Sequence, residues 1–143
     1  MEQNFEMEVS TKINAPAFKV WDALTNPEQV SKYFFGTKLE SSLVVGEPIT
    51  FSGEWNGKAY QDKGTILENI PNHILKYSYW SNLSGTEDKP ENYANVTYRL
   101  DEVEGQCKLT IKQDGLKSEQ SRLDSENNWK FLLDSIKKLV EGN

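Results

Sequence analysis

Hydrophobic and polar positions change rhythm three times along this chain. Phe5, Met7, Val9, Thr11 and Ile13 alternate with Glu6, Glu8, Ser10 and Lys12. That period of two predicts a half-buried strand with one charged face. It stops at Asn14-Ala15-Pro16. Pro16 suits a first helical position, where its missing N–H costs nothing. Ala17, Val20, Trp21 and Leu24 then recur at helical spacing. Asn26-Pro27-Glu28-Gln29 restarts a second short helix, with Asn26 as its cap, Gln29 at the capping-box spacing, and Val30, Tyr33 and Phe34 inward. Past Gly36 the alternation returns. A weak strand is expected over Thr37–Leu43, a turn at Val45–Pro48, and a strand from Ile49 to Trp55. Asn56-Gly57 is a hairpin turn, because both residues accept positive φ. The next strand runs Lys58–Ile70, with Gly64 marking a bulge or bend. After Pro71-Asn72 come a strand over Ile74–Trp80, a polar loop over Ser81–Asn92 expected to be mobile, and strands at Val96–Leu100 and Cys107–Lys112.

The last stretch, Ser118–Gly142, has the helical period. Trp129, Leu132, Leu133, Ile136 and Val140 share a face with Leu139 beside them, and Lys130, Asp134, Lys137, Lys138 and Glu141 fall opposite. Asp134 precedes Lys138 by four residues, the favourable order for a surface ion pair. Upstream, Ser118, Ser121, Arg122 and Ser125 project onto the sector of Trp129 and Ile136. Either the helix starts near Ser118 and turns a polar half toward the sheet, or it starts near Asp124 and these four lie in a solvated loop. A packed core has no use for serines and an arginine, whereas a wet or ligand-holding cavity does. One strand, two short helices, about six further antiparallel strands and a long terminal helix make an α+β arrangement. The helix crosses the concave face of a curved meander, leaving space between them for a ligand.

Length narrows this further. At 143 residues the chain fits one domain, over 1–143, with a core of its own. Twenty-two acidic against 16 basic residues give a net charge of −6, which argues against nucleic acid and anionic membrane surfaces. The single cysteine, Cys107, cannot close an intrachain disulfide, as expected in a reducing compartment. With no secretory pattern at the N-terminus and no apolar run of membrane length, the expectation is a cytoplasmic protein without membrane insertion.

The segment INAPAFKVWDALTNPEQVSKYF resembles the N-terminal signature of START-like (SRPBCC) domains, in the group named for the activator of heat-shock protein 90 ATPase. Gly64-Thr65-Ile66-Leu67-Glu68 before Pro71, the strand Asn95–Leu100, and Trp129 followed by Leu133, Ile136 and Leu139 continue the resemblance in order. Asn128 departs from it, standing where members often carry glycine before the helix tryptophan. The resemblance implies a helix-grip fold: about seven antiparallel strands around the C-terminal helix, with two short helices after the first strand. It also implies binding of a hydrophobic small molecule between sheet and helix. A stress-related co-chaperone role, with a chaperone as partner, follows from the family name alone.

Catalytic chemistry has few carriers. His73 is the only histidine and falls in a turn. Cys107 opens a strand and reads as a small packed residue. One His and one Cys exclude the common zinc sets, no phosphate loop occurs, and neither metal nor cofactor is expected. Glu54 and Asp62 flank the Trp55 hairpin and read as solvated charges. A START-like cyclase or hydrolase would need two carboxylates, or His73, facing the cavity. A noncatalytic binding domain for a small hydrophobic or amphipathic molecule is therefore the leading expectation. Its cavity candidates are Phe35, Phe51, Trp55, Tyr60, Tyr77, Tyr79, Tyr98, Arg122 and Trp129, a surplus of rings with polar tips. Arg122 has two expected fates: pairing with a sheet carboxylate (Glu54, Asp62 or Glu68), or waiting at the cavity mouth for an anionic ligand end.

Overall fold

A computed structural model describes residues 5–34, 36–55, 57–81 and 86–142, with the side chain of Trp55 left out. Nine of its elements position the cavity, and they run β1 (Phe5–Ile13), α1 (Ala17–Thr25), α2 (Pro27–Tyr33), β2 (Lys38–Ser41), β3 (Pro48–Trp55), β4 (Lys58–Ile70), β5 (Ile74–Ser81), β6 (Ala94–Val103) and β7 (Gln106–Leu116). The chain then closes on α3 (Glu119–Glu141). The strands form one antiparallel seven-stranded sheet in the order β1-β7-β6-β5-β4-β3-β2. Strands two to seven are a simple meander, and β1 returns to pair with β7, Val9 opposite Ile111. The fold is the α+β arrangement that the pattern predicts, in the helix-grip form that the resemblance implies.

Alternation places the core. Met7, Val9 and Ile13 of β1, Val96, Tyr98 and Leu100 of β6, and Cys107, Leu109 and Ile111 of β7 are all buried, while the residues between them are more exposed, Thr110 of β7 excepted. Leu132, Leu133 and Ile136 of α3 close the core from the other side. Strands β6 and β7 extend further than the alternating residues alone predict, so Asp114 and Gly115 belong to β7 rather than to a connection. Pro16 sits one place before the position expected for it, as the N-cap of α1. The Ala17 N–H donates instead to the Glu102 carboxylate, 2.6 Å away on β6, which fixes α1 to the sheet.

The start of α3 is set by Ser118. Its Oγ accepts from the Ser121 N–H at 3.0 Å, so the helix begins at Glu119 and not near Asp124. The far end is tied to β1, where Glu141 accepts from the Asn14 N–H at 2.7 Å and Lys137 donates to the Lys12 carbonyl at 2.8 Å. Lys138 and Asp134 form the expected surface pair at 3.0 Å. The helix docks on β1, β7, α1 and α2 through its C-terminal half, and its N-terminal half stands over the middle strands.

At Gly64 the neighbouring strand comes too close for a side chain. A Cβ there would fall 1.6 Å from the Ser78 carbonyl oxygen, and the Thr65 N–H donates to Ser78 Oγ at 2.9 Å. The ladder between β4 and β5 shifts register two residues on, between Ile66 and Glu68. Asn56 of the expected hairpin turn lies outside the described residues. Trp55 and Lys58 pair, and Gly57 has φ 76°, as a two-residue turn requires. No helix among the described residues is long and apolar enough to cross a membrane.

Candidate functional site

Between the sheet and the N-terminal half of α3 lies a cavity of about 370 Å³. Its walls come from two rhythms. The inward positions of β3 to β7 supply Phe51, Asp62, Tyr77, Tyr79, Val96 and Gln113. One helical face supplies Asp124, Ser125, Asn128, Trp129 and Leu132, and Phe34 closes one side from the end of α2. A run of ring contacts leads through the apolar part. Phe34 stacks on Phe51 at 6.1 Å, Phe51 tilts against Tyr77 at 5.6 Å, Tyr98 meets Tyr77 edge-on at 5.5 Å, and Trp129 meets Tyr98 edge-on at 6.0 Å.

The polar tips of these rings are held. The Tyr77 and Tyr98 hydroxyls share a hydrogen bond of 2.7 Å. Burial pushes both above the ordinary tyrosine range, Tyr98 to about 12, so both are neutral donors or acceptors rather than bases. Gln113 Oε1 accepts from Trp129 Nε1 at 2.8 Å and from Ser125 Oγ at 2.9 Å. Two bonds on that oxygen orient the amide and leave its NH₂ as a donor beside the cavity.

Asp62 corrects the expectation that it is a solvated hairpin charge. It is only 7% exposed and lines the cavity. Its Oδ2 accepts from the Tyr79 hydroxyl at 2.8 Å, and Ser81 bonds it as well. Burial raises its pKa, while the Ser81 and Tyr79 bonds hold it down. Burial first, and this carboxylate second, push the Tyr79 hydroxyl far above its ordinary range. Glu54, the other hairpin acid, is exposed as expected.

Of the nine candidates, Phe51, Tyr77, Tyr79 and Trp129 line the cavity together. Tyr98 is buried behind them in the ring chain. Tyr60 sits apart. It shares a very short hydrogen bond with the Thr37 hydroxyl and covers Gly53, where a Cβ would meet its hydroxyl at 2.7 Å. Phe35 and the side chain of Trp55 lie outside the described residues.

Arg122 takes neither expected role. It pairs with Glu119 and Glu126 of its own helix, one turn away on each side, and its side chain is 28% exposed. Acids at three and four residues' spacing meet a guanidinium without the desolvation that a pair under the sheet requires. Of the three serines grouped with it, Ser125 alone lines the cavity, while Ser118 caps the helix. His73 is exposed in its turn, and Cys107 is fully buried with its thiol pushed up to about 11 by burial first and the nearby acids second. Among the described residues no group of three or more His, Cys, Asp or Glu is placed to hold a metal ion.

Phe34, Val96, Gln113, Asp124, Asn128 and Leu132 were not among the candidates. The signal for two site residues was nevertheless in the sequence. Counting back by twos from Ile66 brings Asp62 to the inner face, and counting on from Ile111 brings Gln113 there.

Known proteins share this arrangement. The chain is 44% identical to ChR145 from Cytophaga hutchinsonii, whose solution structure covers 99% of this chain and 97% of its own, with a TM-score of 0.86. The solution structure of the Aha1 dimer from Colwellia psychrerythraea is 18% identical, covers 96% of each chain, and has a TM-score of 0.75; at that identity it speaks for the fold alone. Over 121 residues the chain is also 27% identical to the DNA-directed RNA polymerase subunit beta' of Tetradesmus obliquus. That match takes in 83% of this chain but spans 8% of the length of the polymerase subunit. The profile of the activator of Hsp90 ATPase homolog 1-like proteins matches residues 14–141. With nearly the whole chain matched and the helix-grip fold in place, the protein belongs to the family of activator of Hsp90 ATPase homolog 1-like proteins.

Proposed function

We propose that this protein is a noncatalytic, single-domain binder of a small hydrophobic or amphipathic molecule, held between the sheet and the N-terminal half of α3. The observation that carries the reading is the cavity. About 370 Å³ lies between sheet and helix, open to solvent on one side and lined by a run of ring contacts, a concave site with the apolar walls that ligand pockets have. The site pairs an apolar wall of Phe34, Phe51, Val96 and Leu132 with a few convergent polar groups, the usual composition of a ligand pocket. Native mass spectrometry after gentle purification, with a panel of lipids and aromatic metabolites, tests it. A retained adduct that Phe51→Trp weakens supports the reading, since a larger side chain there fills the space. An empty protein that takes up no member of the panel ends it.

A second reading has one specific observation in its favour. Two carboxylates border the cavity, Asp62 buried in its wall and Asp124 exposed at its rim, and an acid–base enzyme of the START-like kind needs two. A substrate recovered chemically changed after incubation, with the change lost in Asp62→Asn, supports catalysis over storage. The co-chaperone reading rests on the family description alone. Binding to the host's heat-shock protein 90, with an ATPase assay, tests it, and absence of both binding and stimulation dismisses it.

A further inference from the structure

The cavity carries a sign as well as a shape. Asp62 and Asp124 are among its walls, and among the described residues no Lys, Arg or His is. The cations that sequence proximity offers are committed elsewhere. Lys63, next to Asp62, points to the opposite face, pairs with Asp88 at 2.5 Å and lies over the Trp80 ring. Arg122, one turn before Ser125 and Glu126, is held between Glu119 and Glu126. Asp62 therefore sits at 7% exposure with two hydroxyl partners and no positive charge. A carboxylate has about four acceptor positions, so two hydroxyls leave it capacity for further donors. A buried charge without a counter-ion is costly, and a cation that supplies one gains what the free protein lacks.

We infer that the cavity selects molecules with an ammonium group on an aromatic or aliphatic body, with Asp62 as the counter-ion, and turns away the corresponding acids. This rests on the ligand-binding reading above and specifies its chemistry. The body lies along Phe34, Phe51 and Trp129. The ammonium reaches Asp62 beside the Tyr79 hydroxyl, and the Gln113 NH₂ is a donor for any carbonyl or hydroxyl the ligand carries. Fatty and aromatic carboxylates meet the buried Asp62, with the exposed Asp124 at the rim, and no cation among the described lining residues. The net charge of −6 adds a long-range attraction for cations over anions.

A matched series separates the possibilities: naphthylethylamine, naphthylethanol and naphthylacetic acid, titrated against the isotope-labelled protein at neutral pH and low salt and followed by NMR shifts of the cavity residues. The expected order is amine tighter than alcohol by about tenfold, as a charge-assisted hydrogen bond provides, with the acid weakest. Asp62→Asn, nearly isosteric, removes the preference, so that amine and alcohol bind with affinities within about twofold of each other. An amine that binds wild type no tighter than the alcohol overturns the charge selection while leaving the cavity reading intact. Failure of all three to shift cavity resonances overturns both. Retention of the amine preference in Asp62→Asn with loss in Asp124→Asn overturns the assignment to Asp62. The ranking in wild type decides without any variant, so a destabilised substitution does not obscure the answer.

Discussion

Trp129→Ala is the substitution that tests whether α3 is docked as described. The indole is half-buried, meets Tyr98 edge-on at 6.0 Å, and donates to Gln113 at 2.8 Å. Truncating a core tryptophan costs about 3–5 kcal/mol. Trp129 borders a cavity and is only partly buried, so the lower end applies. Of that, the ring pair accounts for roughly 0.5–1.5 kcal/mol and the hydrogen bond for about 1 kcal/mol, with lost burial supplying the rest. A loss of about 3 kcal/mol lowers the melting temperature of a domain of this size by on the order of 10 °C. Phe131→Ala is the control. It changes an aromatic residue two positions along the same helix, but Phe131 is 55% exposed, so a loss within about 0.5 kcal/mol is expected. Urea and thermal unfolding followed by far-ultraviolet circular dichroism read both variants. Equal midpoints for the two variants would refute the docking, because helix propensity alone cannot tell positions 129 and 131 apart.

Asp62 makes a pH prediction whose sign is opposite to that of most aspartates. Burial raises its folded pKa, so between its unfolded value and that raised value the native state holds the proton more firmly; stability contributed by Asp62 is full at low pH and lost as pH rises. Asp62→Asn should therefore gain on wild type in urea midpoint as pH rises above the ordinary aspartate range, and a difference that stays flat or shrinks contradicts the burial. At Gly64 an added methyl meets the Ser78 carbonyl oxygen at 1.6 Å, so Gly64→Ala should cost about 2–3 kcal/mol or disturb the β4–β5 pairing; an unchanged melting temperature would rule out the close approach. Cys107 is fully buried with a raised thiol pKa, and a water-soluble disulfide reagent should modify it on the order of 100-fold more slowly in native protein than in urea. Comparable rates in the two would place the thiol at the surface.

The local rhythm of this sequence determined its elements. A period of two in Phe5–Ile13 and Cys107–Ile111, the Asn56-Gly57 turn and the helical spacing of Trp129 to Val140 each specify a local conformation, because backbone geometry alone decides which side chains share a face. Once six strands follow one another with short turns, the meander and the helix across it are nearly forced. Alternation even carried the inward direction of Asp62 and Gln113, hidden because polarity suggested solvent for the first and nothing drew attention to the second. Three matters waited for tertiary structure. Whether α3 begins at Glu119 depended on whether the Ser118 hydroxyl reached the Ser121 N–H, a hydrogen bond of 3.0 Å that spacing alone does not guarantee. The fate of Arg122 was a competition between acids on its own helix and acids across the sheet, and near neighbours won because they require no burial of charge. The separation of Phe51, Tyr77, Tyr79 and Trp129 around the cavity from Tyr98 behind it depended on how far a helix of this bulk can descend onto a bent sheet, which composition does not encode.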